Sequence, residues 1–111
     1  MKRGPEREDV IRLIRELKKR KGLFRRIARE LSKPRRKKKA VNLFKIDKYS
    51  KGKAVVVPGK VLGMGSLSSP VDIVALSFSE SARKKIEAAG GKCRDFEWLL
   101  KRGAKDVVLL K

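Results

Sequence analysis

Histidine, glutamine and threonine are missing from this chain of 111 residues, and cysteine, tryptophan, tyrosine and asparagine occur once each. A lone Cys93 cannot close an internal disulfide or complete a multi-cysteine zinc site. Without histidine there is no common general base, no usual metal ligand and no Ser-His or Cys-His dyad. Aromatic residues amount to only 5%, so any core must be aliphatic. No apolar run approaches the roughly 18 residues that span a bilayer. Met1 to Val10 carry charges where a secretory leader requires an apolar stretch. These absences set the expectation of an intracellular protein in a reducing compartment, with no membrane contact, metal, cofactor or small-molecule substrate.

Acidic residues are scarce as well. Against 12 Asp and Glu stand 32 Lys and Arg, a formal charge of +20 in a chain that is 40% charged. The length allows one domain with an arm or tail, and such a domain buries about two thirds of the surface its unfolded chain exposes. Twenty uncompensated charges oppose compaction unless a polyanion neutralises them. Enzymes of small neutral substrates seldom carry that balance, so the expected partner is a nucleic acid. Abundant charge combined with the missing Gln and Thr is a pattern that high growth temperature favours.

Of the +20, residues 1–60 hold +17 and residues 61–111 only +3. Gly4-Pro5 followed by Glu6, Glu8 and Asp9 suits a helix start, and Val10, Leu13, Ile14 and Leu17 form one apolar stripe. Lys18 to Lys21 fill the last turn before Gly22. A second helix over Leu23 to Leu31 repeats the pattern with Leu23, Ile27, Ala28 and Leu31, and Pro34 ends it. Then come Lys33, Arg35, Arg36, Lys37, Lys38 and Lys39, six cations in seven residues, with no acid between Glu30 and Asp47. Such a block repels itself and has no apolar face, so alone in water it is expected to be extended and mobile. A solvated loop or a localisation signal is the plain reading; a phosphate-binding arm is the one the whole-chain charge favours.

From Val41 the texture changes. Val41, Leu43, Phe44, Ile46 and Tyr49 suggest a strand passing into a helical turn, and Tyr49 is read as a core residue ahead of a base-stacking one. Ala54 to Val57, bounded by Gly52 and Pro58-Gly59, predicts a short strand, and Val71 to Leu76 a second strand covered on both faces. Ser77 to Glu80 has capping-box spacing before a helix with Ala82, Ile86 and Ala89 inward, where Arg83 and Glu87 are spaced to pair. Asp95 caps a last helix that Gly103 ends, and Val107 to Leu110 closes as a strand. The expected order is strand, strand, helix, helix, strand in a compact α/β domain over 41–111. A helical, basic N-terminal region with its arm at 33–40 precedes it over 1–40.

Pro58 to Leu67 holds Gly59, Gly63 and Gly65, which suggests positive φ angles or backbone lying close to something bulky. It is neither a phosphate-binding loop, which needs Gly-Lys-Ser/Thr at a helix start, nor a dinucleotide fingerprint, since Ser68 stands where the third glycine belongs. Two readings stay open: a bent connector whose amides and Lys60 meet an RNA backbone, or plain structural turns. Lys92 and Arg94 beside Cys93 could lower its pKa, but without histidine a structural thiol is the better reading. Nothing assembles a nucleophile, a base and an oxyanion donor.

The strings Pro34-Arg35-Arg36, Val41-Asn42-Leu43, Val55-Val56-Val57-Pro58-Gly59-Lys60-Val61-Leu62-Gly63 and Phe78-Ser79 with Lys85-Ile86 closely resemble the archaeal and eukaryotic family of large-ribosomal-subunit protein eighteen, a relative of bacterial large-subunit protein fifteen. The resemblance runs from about Pro34 to Gly91. It implies a non-enzymatic ribosomal protein, archaeal in source, bound to large-subunit ribosomal RNA in the cytoplasm beside neighbouring ribosomal proteins. The implied fold is a small irregular superhelix of strand-strand-helix units with a helical, basic N-terminal extension.

The candidate RNA-binding residues are Lys33, Arg35, Arg36, Lys37, Lys38 and Lys39 on the arm. Asn42, Lys45, Lys60, Gly63, Gly65 and Ser66 are their expected neighbours on the domain. No homo-oligomer is expected. The alternative is an architectural DNA- or RNA-binding protein outside the ribosome; a nucleic-acid-processing enzyme is disfavoured by the absent histidine and unpaired carboxylates.

Overall fold

The computed structural model describes residues 7–33 and 40–111. Its elements are α1 (Arg7–Lys18), α2 (Leu23–Leu31), β1 (Val41–Asn42), α3 (Leu43–Ser50), β2 (Ala54–Leu62), β3 (Asp72–Phe78), α4 (Glu80–Ala88), β4 (Lys92–Arg94), α5 (Phe96–Arg102) and β5 (Val107–Leu109). The five strands form one sheet in which every pairing is parallel. β3 lies along one edge of β2 and β4 lies beyond it. β5 and β1 share the other edge, β5 against Ala54–Val56 and β1 against Val61–Leu62.

The β-branched run of β2 explains its central place. Val55, Val57 and Val61 enter a core with Leu43, Ile46, Ile73, Ala82 and Ile86, which α3 and α4 cover. Val56 points the other way, with Val74, into a core built from Leu17, Phe24, Ile27, Leu31, Phe96 and Leu99 of α1, α2 and α5. Alternation along an extended strand supplies both faces, which is why the run is continuously apolar. Complete burial of each such side chain stabilises by roughly 1.5–3 kcal/mol.

Pro58-Gly59 does not end β2 as the sequence suggests. Val57 pairs with Ala75 and Lys60 with Ser77, so β2 advances three residues while β3 advances two. The extra residue is a bulge, and there the missing N–H of proline leaves no ladder position empty. The strand therefore continues far enough to receive β1. Other boundaries shift for similar reasons. Ser77 is held extended by its pairing with Lys60, so the cap of α4 falls to Ser79, whose Oγ accepts from the Ala82 amide at 3.2 Å. Arg83 does not pair with Glu87; its guanidinium lies 5.4 Å from the Phe78 ring centre. β4 escaped the pattern because three residues carry no periodicity. It forms through pairing with β3, with Arg94 Nε 3.3 Å from Asp72 Oδ1. α1 ends at Lys18, before the expected Lys21, and Asp95 caps α5 through the Trp98 amide at 2.9 Å as anticipated.

Parallel neighbours usually need a crossover of a dozen or more residues. Residues 63–71 join β2 to β3 without a helix, so this loop must hug the sheet end. A Cβ on Gly63 would strike the Ser81 hydroxyl and sit 2.9 Å from the Ala82 nitrogen. Gly65 has φ +95°, and a Cβ there would lie 2.7 Å from the Phe44 nitrogen. Both glycines are required by close protein backbone, the bulky neighbour the sequence could not name.

Gly65→Ala should cost more stability in chemical denaturation than Gly103→Ala. Gly103 has a similar φ of +94° but open space around it, so it carries the conformational strain alone, about 1–3 kcal/mol. Equal losses would mean that α3 yields to the added methyl group.

Candidate nucleic-acid interface

The carboxyl ends of the strands carry the loop 63–71 and the starts of α3 and α4. Asn42 Oδ1 accepts from the Met64 amide at 3.3 Å, and the Phe44 amide donates to the Met64 carbonyl at 3.0 Å. Asp47 Oδ1 accepts from both the amide and the hydroxyl of Ser68, at 2.9 and 2.8 Å. Those two bonds hold the Asp47 carboxyl below its usual range, the backbone bond contributing most. From the other side Lys85 Nζ donates to the carbonyls of Gly63 and Gly65 at 2.7 and 2.9 Å. A loop pinned by α3 and α4 results.

Several sequence-predicted residues meet here. Asn42, Gly63 and Gly65 converge on the loop, but the Asn42 side chain and both glycine carbonyls are engaged within the protein. Ser66, beside them, is exposed, as is Lys60 on β2. Lys45 is directed elsewhere: its Nζ donates to the Lys111 carbonyl at 2.9 Å. Lys33 lies 3.0 Å from Glu30 Oε1, and Lys111 Nζ lies 3.1 Å from Glu30 Oε2. Arg35, Arg36, Lys37, Lys38 and Lys39 lie outside the described residues.

Three residues at this end were not singled out. Lys85 closes the loop, and Phe44 and Met64 stand 56% and 66% exposed beside it. Phe44 was recoverable: once a helix is placed from Leu43, the buried stripe Leu43, Ile46 and Ser50 leaves positions 44 and 49 outward. Tyr49 is accordingly 45% exposed and not a core residue. An apolar-rich helical segment needs only one of its faces inside, and Tyr49 falls on the other.

The two cations on Glu30 hold its carboxyl below the ordinary range; the hydrogen bond from Lys33 is the largest influence, and burial opposes it. The Glu30 side chain, only 11% exposed, thus ties α2 to the last residue of the chain and to the root of the basic segment. Burial pushes the Cys93 thiol up; Arg83 opposes the effect and Glu87 adds to it. No cluster of metal-ligating side chains occurs among the described residues.

Together these features define a basic, parallel α/β scaffold whose outward chemistry is cationic, with Asp47 serving a loop, Asp95 a cap, and Glu16, Glu30 and Asp72 ion pairs. The chain belongs to the family described as ribosomal proteins 50S-L15, 50S-L18e and 60S-L27a, whose model matches residues 25–94. It is 57% identical over 76 residues to the large ribosomal subunit protein eL18 of Sulfurisphaera tokodaii, covering 68% of this chain and 64% of that relative. To the eL18 proteins of Sulfolobus acidocaldarius and Methanococcus maripaludis it is 50% identical over 94 residues and 42% identical over 108. Those matches take in 83% and 95% of this chain and 80% and 90% of the relatives.

Lys85→Ala should speed amide exchange in residues 63–68 while leaving that of the β2 core unchanged, measured by hydrogen exchange with mass spectrometry. Unaltered loop protection would show that the contacts with Asn42 and Asp47 suffice. Glu30 contributes stability that is present above the unfolded carboxylate range and lost as pH falls through its lowered folded value. Glu30→Gln should therefore melt below the unsubstituted protein at neutral pH, the two curves converging in acid. A gap independent of pH would place the effect in packing.

Proposed function

We propose that this protein is a structural constituent of the large ribosomal subunit that binds and bridges ribosomal RNA. The family supports a structural, non-enzymatic ribosomal role, and the relatives it resembles are named as large-subunit proteins. The observation that carries RNA binding is the charge: +20 over 111 residues, concentrated in residues 1–60, on a fold that absorbs few of those cations internally. Each Lys or Arg reaching a phosphate releases counterions, an entropic gain that requires no base recognition.

In this reading the segment 33–40 is the arm, and Arg35, Arg36, Lys37, Lys38 and Lys39 are its phosphate contacts. Exposed Lys60 and Ser66 extend the contact along the carboxyl end of the sheet. Asn42, Gly63 and Gly65 act indirectly, by setting the loop on which Ser66 stands. Helices α1 and α2 fix where the arm leaves the domain, since they share a core with β2 and β3. Ribosomal RNA and adjoining ribosomal proteins are the partners, with the protein as a single copy.

Replacing Arg35, Arg36, Lys37, Lys38 and Lys39 together by Ala tests the arm. If all five reach phosphates, the slope of log affinity against log salt should flatten by about 3.5 units, at ~0.7 per single-strand contact. The melting temperature should hold or rise, because removing like charges relieves repulsion. An unfolded variant with an unchanged salt slope would assign these cations to the fold instead. Co-sedimentation of the tagged protein with large subunits tests the ribosomal placement, which a free protein at the top of the gradient would overturn.

A further inference from the structure

The six aromatic residues of the chain are unevenly placed. Phe24 and Phe96 are buried, Phe78 is packed against the core beneath Arg83, and Trp98 lies between Arg94 and Arg102 at 4.9 and 5.7 Å. Phe44 and Tyr49 alone stand on the exterior as large exposed rings, and both belong to α3. Helical geometry puts Phe44, Lys45, Lys48 and Tyr49 on the arc opposite the buried stripe, the two rings about 7.5 Å apart along the axis. Lys48 Nζ lies 5.4 Å from the Tyr49 ring centre, and Lys51 and Lys53 follow in exposed positions. The only acid between Lys45 and Lys60 is Asp47, whose Oδ1 is taken by Ser68.

From this juxtaposition we infer that the outward face of α3 is a stacking platform for unpaired RNA bases, each ring taking one base while the exposed Lys48, Lys51 and Lys53 meet the flanking phosphates. The inference rests on the RNA reading above and adds a contact of a different kind, apolar and directed at bases. A π face accepts any base, and stacking contributes without releasing counterions. A duplex hides its base faces, so the platform selects loops, bulges or ends. Charge favours RNA over a protein neighbour: among residues 44–53 there are four lysines and one engaged carboxylate. Met64, 66% exposed beside Phe44, widens the apolar ground on which a base would rest.

The test uses the full chain with Phe44→Leu and Tyr49→Leu combined, which keeps apolar bulk and removes both rings. Two labelled probes are titrated across a salt series: an RNA hairpin with an unpaired adenosine loop, and a fully paired RNA of equal length. The variant should lose roughly fivefold to hundredfold affinity per ring for the loop probe, with its salt slope and its affinity for the paired probe unchanged. A Phe44→Trp, Tyr49→Trp variant should restore loop binding, and an unchanged melting curve for each variant excludes unfolding. Equal losses on both probes, or no loss on either, would overturn the platform while leaving the electrostatic reading intact. So would unchanged RNA binding combined with lost capture of a neighbouring ribosomal protein. An unsubstituted protein that bound neither probe would overturn the RNA reading itself.

Discussion

β2 has no free side. Its two faces are covered by separate aliphatic cores, one edge belongs to β3, and the other is shared between β5 and β1. Three valines in succession satisfy both faces at once, and a bulge at Pro58-Gly59 lengthens the strand without breaking either edge. β1, β3 and β5 pair with it directly, and β4 follows through β3. β1 meets β2 only because β2 outlasts its proline, and α3 begins directly where β1 ends, so the bulge sets the start of the aromatic helix face.

The cations divide into two populations by what they touch. A few work inside the protein: Lys85 on two loop carbonyls, Lys45 on the last carbonyl, Lys33 and Lys111 on Glu30. Such contacts among exposed groups add little to global stability and mainly choose between local arrangements. The larger population has no acid to pair with, because acids are outnumbered by more than two to one. Under the proposed function, that surplus is one a polyanionic partner would neutralise. Fold and charge are therefore separable here. The core is neutral and aliphatic apart from Phe24 and Phe96, and the charge lies on surfaces that the core does not need.

Much of the architecture was legible without coordinates. The stripes Leu13, Ile14, Leu17 and Ile27, Ala28, Leu31, the valine run, the Asp95 cap and the closing Val107 strand all appear where periodicity and capping chemistry predict them. The misreadings share one cause. Pro58-Gly59 reads locally as a strand end, Ser77 as a cap and Tyr49 as core, while Lys92 to Arg94 show no pattern of their own, and in each case the partner that decides the matter is distant in sequence. Ser77 is kept in β3 by Lys60, β4 by β3, and Tyr49 is turned outward by the docking of Leu43 and Ile46 on β2.

The sequence by itself determined the α/β class, the aliphatic core, the absence of histidine-based chemistry and a surplus of positive charge, because composition and local periodicity act over a few residues. The tertiary structure alone decided which glycines stand against backbone and that Lys85 and Asn42 serve the loop. Those properties depend on which segments are brought together in space. The central parallel strand pairs residues 17 to 53 positions apart, a relation that no local window contains.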